Sequence, residues 1–230
     1  MSSKIVLPNY ITHLPSTGKS VQFRPFSVKE EKALLLALQE DNIETLAATI
    51  KNLISICTQG NVDPENTPYY DLEYLFLQIR AKSIGEMVDL IGTCDCGPDK
   101  KTEFSVDIES VFVEPIPNGN ATIKIPDSPY FIEIRHPSID NFVQTLNNAG
   151  EDATSIVANC IISIYTDDET MNWSFDEKLT FVDSMTTRQQ KDISIFLKTM
   201  PMVKLPTPYT CKHCSKSHSN HISGFENFFV

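Results

Sequence analysis

Two short cysteine pairs constrain this chain more than any other feature: Cys94-Asp95-Cys96 and Cys211-Lys212-His213-Cys214. Each lies in a turn-like stretch, and a tight turn delivers two thiolates to one point with free backbone N–H groups beside them. A tetrahedral zinc site needs four soft donors at about 2.3 Å, so the two knuckles complete one shell for a structural Zn2+. On that reading the fold must close residues 97–210 into a loop and seat its two ends side by side. The first spacing is Cys-x-Cys rather than the commoner Cys-x2-Cys, and the separation far exceeds that of a local zinc ribbon. Gly97 is expected to permit an unusual backbone after the first pair. Lys212 and Lys216 would offset the thiolate charge, and His213 or His218 are the alternative donors. Reduced surface thiols at two turns are the competing reading. A redox pair has little support, because no strand–CxxC–helix context is present.

The remaining cysteines, Cys57 and Cys160, fall on apolar helical stripes and read as packed core thiols. Neither His13 nor His136 has sequence context that would pair it with a cysteine, and His136 before Pro137 reads as a turn residue.

The hydrophobic period divides the rest of the chain. Through Pro25 the pattern is extended, with Val21, Phe23 and Pro25 alternating against polar residues. Ser27 and Glu30 form a capping box for a helix carrying Leu34, Leu35 and Leu38. Ile43, Leu46, Ala47, Ile50, Ile54 and Cys57 recur at helical spacing, then Leu72, Leu75, Phe76 and Ile79 do the same. After Ser83 the period drops to two, which predicts a β-hairpin over residues 85–108 with Cys94 and Cys96 at its tip. A further β-like stretch runs from Ala121 to Ile134. Helical stripes return with Ile139, Phe142, Val143 and Leu146, then Ile156, Val157, Cys160, Ile161 and Ile164. Ser174/Glu177 and Thr186/Gln189 cap two more helices. The expected fold class is therefore α+β: a mostly helical single domain with a small antiparallel β element pinned by a four-cysteine zinc site to C-terminal strands. The expected domain is 1–230, with helical parts at about 27–83 and 138–200. Its zinc-stapled β part spans about 85–134 plus 205–230. The aromatic end, Phe225, Phe228 and Phe229, is expected to pack at home or dock on a neighbour.

Composition excludes several function classes. Of 230 residues 41% are hydrophobic and 21% charged, with a formal charge of −11. That is globular composition, and it argues against nucleic acid, whose phosphates need a basic surface. No apolar run approaches the roughly 18 residues of a membrane span. Met1–Pro8 shows no secretory-signal pattern, so a reducing cytosol is expected during folding. No GxGxxG, GxxxxGK[ST], GxSxG, HExxH or EF-hand loop is present. The acidic groups Asp63/Glu65, Asp167/Asp168/Glu169 and Asp176/Glu177 fall in loops or first helical turns, where carboxylates serve capping. A closed four-thiolate shell also lacks the open position that catalytic zinc needs. These observations predict no enzyme, no small-molecule ligand and no nucleic-acid partner.

Two blocks carry a resemblance. One is Tyr74-Leu-Phe-Leu-Gln-Ile-Arg-Ala-Lys-Ser-Ile-Gly-Glu86 followed by Cys94 and Cys96. The other is Phe181-Val-Asp-Ser-Met-Thr186, then Ile195 to Pro201, Cys211 to Cys214 and Gly224-Phe-Glu-Asn-Phe-Phe229. From about residue 20 onward the chain resembles the small baseplate hub and hub-assembly proteins of T-even-type contractile-tailed phages. The resemblance implies a structural part in the tail baseplate of a virion assembled in the host cytoplasm. Other hub, wedge or tail proteins would be its partners. It leaves open a transient assembly factor, and the residues alone also leave open an unrelated intracellular zinc-containing adaptor. A metal-dependent hydrolase would need one of the four thiols to be dispensable. Arg80, Lys82 and Glu86 are a candidate interface patch, or an ordinary solvated helix end.

Overall fold

A computed structural model describes residues 5–40, 42–115, 119–147 and 153–224. The chain opens with a hairpin of β1 (Tyr10–His13) and β2 (Ser20–Phe23), whose alternation buries Val21 and Phe23. Helix α1 (Val28–Gln39) starts at the expected capping box: the Glu30 carboxylate accepts the Ser27 N–H at 2.6 Å and is gripped by Arg24. Leu34 is buried, but Leu35 faces solvent, so the stripe is narrower than the sequence suggested. Helix α2 (Ile43–Cys57) is capped by Asn42, which accepts two backbone N–H groups. It stops at Gln59 and Gly60, both in the left-handed region.

Helix α3 (Tyr69–Ser83) is the centre of the molecule. Leu72, Leu75, Phe76 and Ile79 are buried as expected, and so are Tyr70 and Leu77 on the other faces. A helix covered on all its faces lies inside a core, and α3 takes the carboxylates Asp71 and Glu73 into it as well. Against it pack α1, α2, the first hairpin and the roots of the strands that follow.

The predicted hairpin is β3 (Met87–Cys94) and β4 (Gly97–Asp107), antiparallel, with a bulge at Thr93/Cys94. A short 3-10 turn (Ile108–Ser110) leads to β5 (Phe112–Glu114). Then come β6 (Ala121–Lys124), β7 (Phe131–Ile134), α4 (Ile139–Asn147), α5 (Ala153–Cys160), β8 (Ile161–Tyr165) and β9 (Thr170–Met171). Helices α6 (Phe175–Asp183) and α7 (Thr187–Lys198) open at the expected boxes, Ser174/Glu177 and Thr186/Gln189. Strands β10 (Met202–Thr210) and β11 (Ser217–Ile222) follow. The described residues thus form seven helices and eleven strands in small antiparallel sheets, a mixed α+β fold. Residues 225–230, with the three terminal phenylalanines, lie outside the described residues.

Two expectations change. Residues 121–134 do not join the C-terminal strands: β6 and β7 pair with β8 and β9, and only β5 reaches β10. Ile161 and Ile164 are not helical either. The helix ends at Cys160, and the β-branched run that follows pairs Ile164 with Ile132 and Ile161 with Ile134. β-Branched side chains suit a pleated, covered surface better than a helix. The facing isoleucines Ile123, Ile132, Ile134 and Ile164 form a second core beneath Val182 and Ile193.

His136 sits where the two cores meet. It is 5% exposed, stacks on Phe196 at 4.2 Å, and meets Tyr70 edge-on at 5.5 Å. It is a packed residue and not a simple turn. Burial holds its imidazole neutral and its pKa down to about 4. An unfolded chain therefore takes up a proton near pH 6.5 that the fold refuses, so this contribution is present above pH 6.5 and lost as pH falls toward 4. The loss reaches about 3 kcal/mol. Urea denaturation at pH 7, 5.5 and 4.5 should show it, and His136→Phe, which keeps the ring stack, should flatten the slope by that amount. Equal slopes in the two proteins would refute it.

Candidate metal centre

Strand β3 delivers Cys94 to the hairpin tip, Asp95 and Cys96 make the turn, and β4 leaves at Gly97. The second knuckle is the turn between β10 and β11, closed by Cys211 N–H to the Lys216 carbonyl and Ser215 N–H to the Cys211 carbonyl, both 2.9 Å. Its left-handed residue is Ser215, with φ 58°. Gly97 is not in the left-handed region, so the unusual backbone expected there falls in the other turn.

The four sulfurs converge. Cys94 Sγ lies 3.6 Å from Cys214 Sγ, across 120 residues of sequence, and Cys96 Sγ lies 3.7 Å from Cys211 Sγ, across 115. All four lie within 4.8 Å of one another. A disulfide needs about 2.05 Å, and all six cysteines are free. A tetrahedron with metal–sulfur bonds of about 2.3 Å has edges of roughly 3.8 Å, close to both distances. Among the described residues this is the one group of His, Cys, Asp and Glu side chains fit to hold a metal.

Electrostatics point the same way. The His213 amide, 3.5 Å from Cys211 Sγ, and then the Cys214 amide hold the Cys211 thiol down to about 6. Desolvation, then the neighbouring thiols, pushes Cys96 up to about 12. Four thiols this close cannot all ionise unless a cation cancels their repulsion. Lys216 binds Asp95 at 2.9 Å beside the cluster. The Lys212 backbone donates to Thr102 Oγ1 and ties the second knuckle to β4.

Around the sulfurs lies a shell of which the sequence marked only His218, as an alternative donor. His218 Nε2 is 3.3 Å from Cys94 Sγ, within hydrogen-bond reach of the thiolate, and stands outside the four-thiol group. His213 touches the cluster through its backbone. The His218 ring stacks on Tyr209 at 4.6 Å, and Tyr209 stacks on Phe104 at 4.7 Å. The Tyr209 hydroxyl donates to the Thr93 carbonyl, next to Cys94. Gly92 makes room for that ring, because a Cβ there would stand 2.5–2.8 Å from Tyr209 ring atoms. A glycine inside a strand pattern is the signal that could have revealed this close approach. Gly92→Ala should therefore displace Tyr209 and weaken metal retention about 10–100-fold, the usual cost of disturbing an outer shell. Chelator competition measures it, and unchanged retention would show that the ring stack does not orient the knuckle.

The other singled-out residues lie elsewhere. Cys57 and Cys160 are fully buried, one in each core, with thiols pushed up to about 12 by burial. Asp63/Glu65, Asp167/Asp168/Glu169 and Asp176/Glu177 are exposed, in loops or the first turn of α6. Lys82 pairs at the surface with Glu86 at 2.6 Å and Glu109 at 2.7 Å, so its charge is matched within the chain.

Fold and site together define a small mixed α+β protein whose convergent chemistry is a cysteine cluster suited to a metal ion. The chain belongs to the T4 bacteriophage base plate protein family, whose model matches residues 7–230. It is a T4-type phage baseplate protein, and membership places it in the virion tail among other baseplate proteins. No curated protein and no solved structure matches the chain.

Proposed function

We propose that this protein is a non-enzymatic structural subunit of the central hub region of the contractile tail's baseplate. In this reading Cys94, Cys96, Cys211 and Cys214 hold one structural zinc ion. The convergence of four thiols from segments 115 and 120 residues apart carries the proposal. Such an arrangement needs a long loop to be closed for a purpose, and an all-thiolate shell leaves no position for substrate or water. Cysteine ligands favour zinc over hard cations such as magnesium or calcium. The ion would fasten the β3–β4 hairpin to the β10–β11 turn, giving the chain a fixed surface for its neighbours.

Residues 1–230 would act as a single unit. Contacts between the two parts support this: Arg135, which follows β7, with the Asn66 side chain at 2.6 Å, and the Tyr69 N–H with the Pro137 carbonyl at 2.9 Å. Quantitative mass spectrometry of purified virions, with elemental analysis of the purified protein, tests the whole reading. The expected result is a fixed copy number per particle and one zinc per chain. Absence from finished particles would make it an assembly factor, and less than about half an equivalent of zinc would remove the metal.

A further inference from the structure

Hydrogen-bond phase along the strands shows which backbone groups face outward. The Ile108 N–H bonds the Glu86 carbonyl at 2.8 Å. In the antiparallel register this makes Val88/Val106, Leu90/Phe104 and Gly92/Thr102 the bonded pairs. Met87, Asp89, Ile91 and Thr93 therefore turn their N–H and C=O groups away from β4, and β3 pairs with no other strand among the described residues. The Tyr209 hydroxyl takes the Thr93 carbonyl. Among the described residues the outward backbone groups of Asp89 and Ile91 meet no partner.

The comparable edge of β10 is blocked. The Cys211–Lys216 bond sets the phase of the β10–β11 ladder and leaves Pro206 and Pro208 facing the other way, past the end of β5, with no N–H to offer. Proline and lysine are common ways to protect a strand edge, and β3 has neither. Beside its open edge runs a groove of about 470 Å³, walled by residues 89–93 and 220–222 and floored by Phe104, Thr207 and Tyr209. Met87 and Ile91 are 60% and 61% exposed on the outer face of the strand.

We propose that β3 is a docking edge, and that one extended segment of another baseplate protein adds to it as a third strand. The argument for this occupant is electrostatic complementarity. The edge offers amide hydrogens and carbonyl oxygens repeating every second residue, about 6.8 Å apart, a pattern matched by another extended backbone. The segment carries alternating apolar side chains, one set over Phe104 and Tyr209 and the other beside Met87 and Ile91. A second copy of this chain fits poorly. The β3 edge of a copy arrives with its own β4 paired to it and its own β11 across the groove, whereas a lone segment brings no such neighbours. The proposal rests on membership of the baseplate family and is independent of the metal reading.

Site-specific photo-crosslinking in phage-infected cells tests it, with a benzophenone amino acid in the full chain at Ile91 and, as control, at exposed Ile195. The expected product from position 91 joins one other baseplate protein at alternating residues of one segment, with nothing at that segment from position 195. A crosslink to a second copy of this chain, or none from position 91, overturns the proposal. Ile91→Pro removes an outward N–H and no hydrogen bond of the β3–β4 ladder. It should cut infective particles at least tenfold with metal content unchanged. Should that variant fold poorly, Ile91→Lys keeps every backbone group and should act alike. Full infectivity in a folded variant overturns the proposal.

Discussion

On the zinc reading, stripping the metal with a tight chelator at neutral pH is expected to release the hairpin tip and the facing turn while α1–α3 stay folded. The two ends of the β3–β4 hairpin are held by different forces. Its root is anchored by burial, since Val106 and Ile108 belong to the α3 core and Val88 and Leu90 pack against it. Its tip carries the exposed residues Asp95 and Cys96 and is held by the cluster, the Tyr209 stack and the Thr102 contact. Structural zinc is worth on the order of 10 kcal/mol in small domains, far more than one ring stack at about 1 kcal/mol. Hydrogen exchange should show amides near 92–102 and 208–218 losing most of their protection, and regaining it when zinc returns. Amides of α2 and α3 should change little. Cys211→Ser should reproduce the loss, whereas Cys57→Ala and Cys160→Ala should leave metal content unchanged. Simultaneous melting of tip and core would refute the division, and unchanged tip protection would refute the staple.

Phe76→Ala should instead destabilise the whole protein. Phe76 is fully buried on a helix surrounded by core on every side. Removing a buried phenylalanine costs about 3–5 kcal/mol through lost transfer energy and the cavity left behind, against a total stability of roughly 5–15 kcal/mol. Urea denaturation should show a large fall in midpoint. Leu36→Ala, on the exposed face of α1, should stay within about 0.5 kcal/mol. Similar effects at the two positions would mean that α3 does not organise the fold.

Features set by local chemistry were legible in the sequence. Capping boxes at Ser27, Ser174 and Thr186 marked helix starts because side chain and backbone satisfy each other within four residues. The alternation at 87–107 and the stripe of α3 followed from one-sided and all-round burial. The meeting of the two cysteine pairs was legible because short-spaced soft donors in turns call for partners, and the fold brings all four sulfurs together. The strand at Ile161–Tyr165 was hidden, because Val157, Cys160, Ile161 and Ile164 fit a helical period as well as a strand. Its identity depends on Ile132 and Ile134, about thirty residues earlier, offering a sheet edge. The roles of His136, Gly92 and Tyr209 were hidden for the same reason, each coming from a partner distant in sequence, and His218 was visible only as an alternative donor.

The spacing of the cluster also has a consequence for synthesis. Cys96 and Cys211 are 115 residues apart, and chains grow at about 5–20 residues per second. The first two thiols are therefore made about 6–23 s before the second pair. On the metal reading the tip is, during that interval, a half-site with two donors, too few to hold an ion firmly and open to any scavenging thiol or metal. The late arrival of Cys211 and Cys214 sets the moment at which the hairpin tip can take its final position.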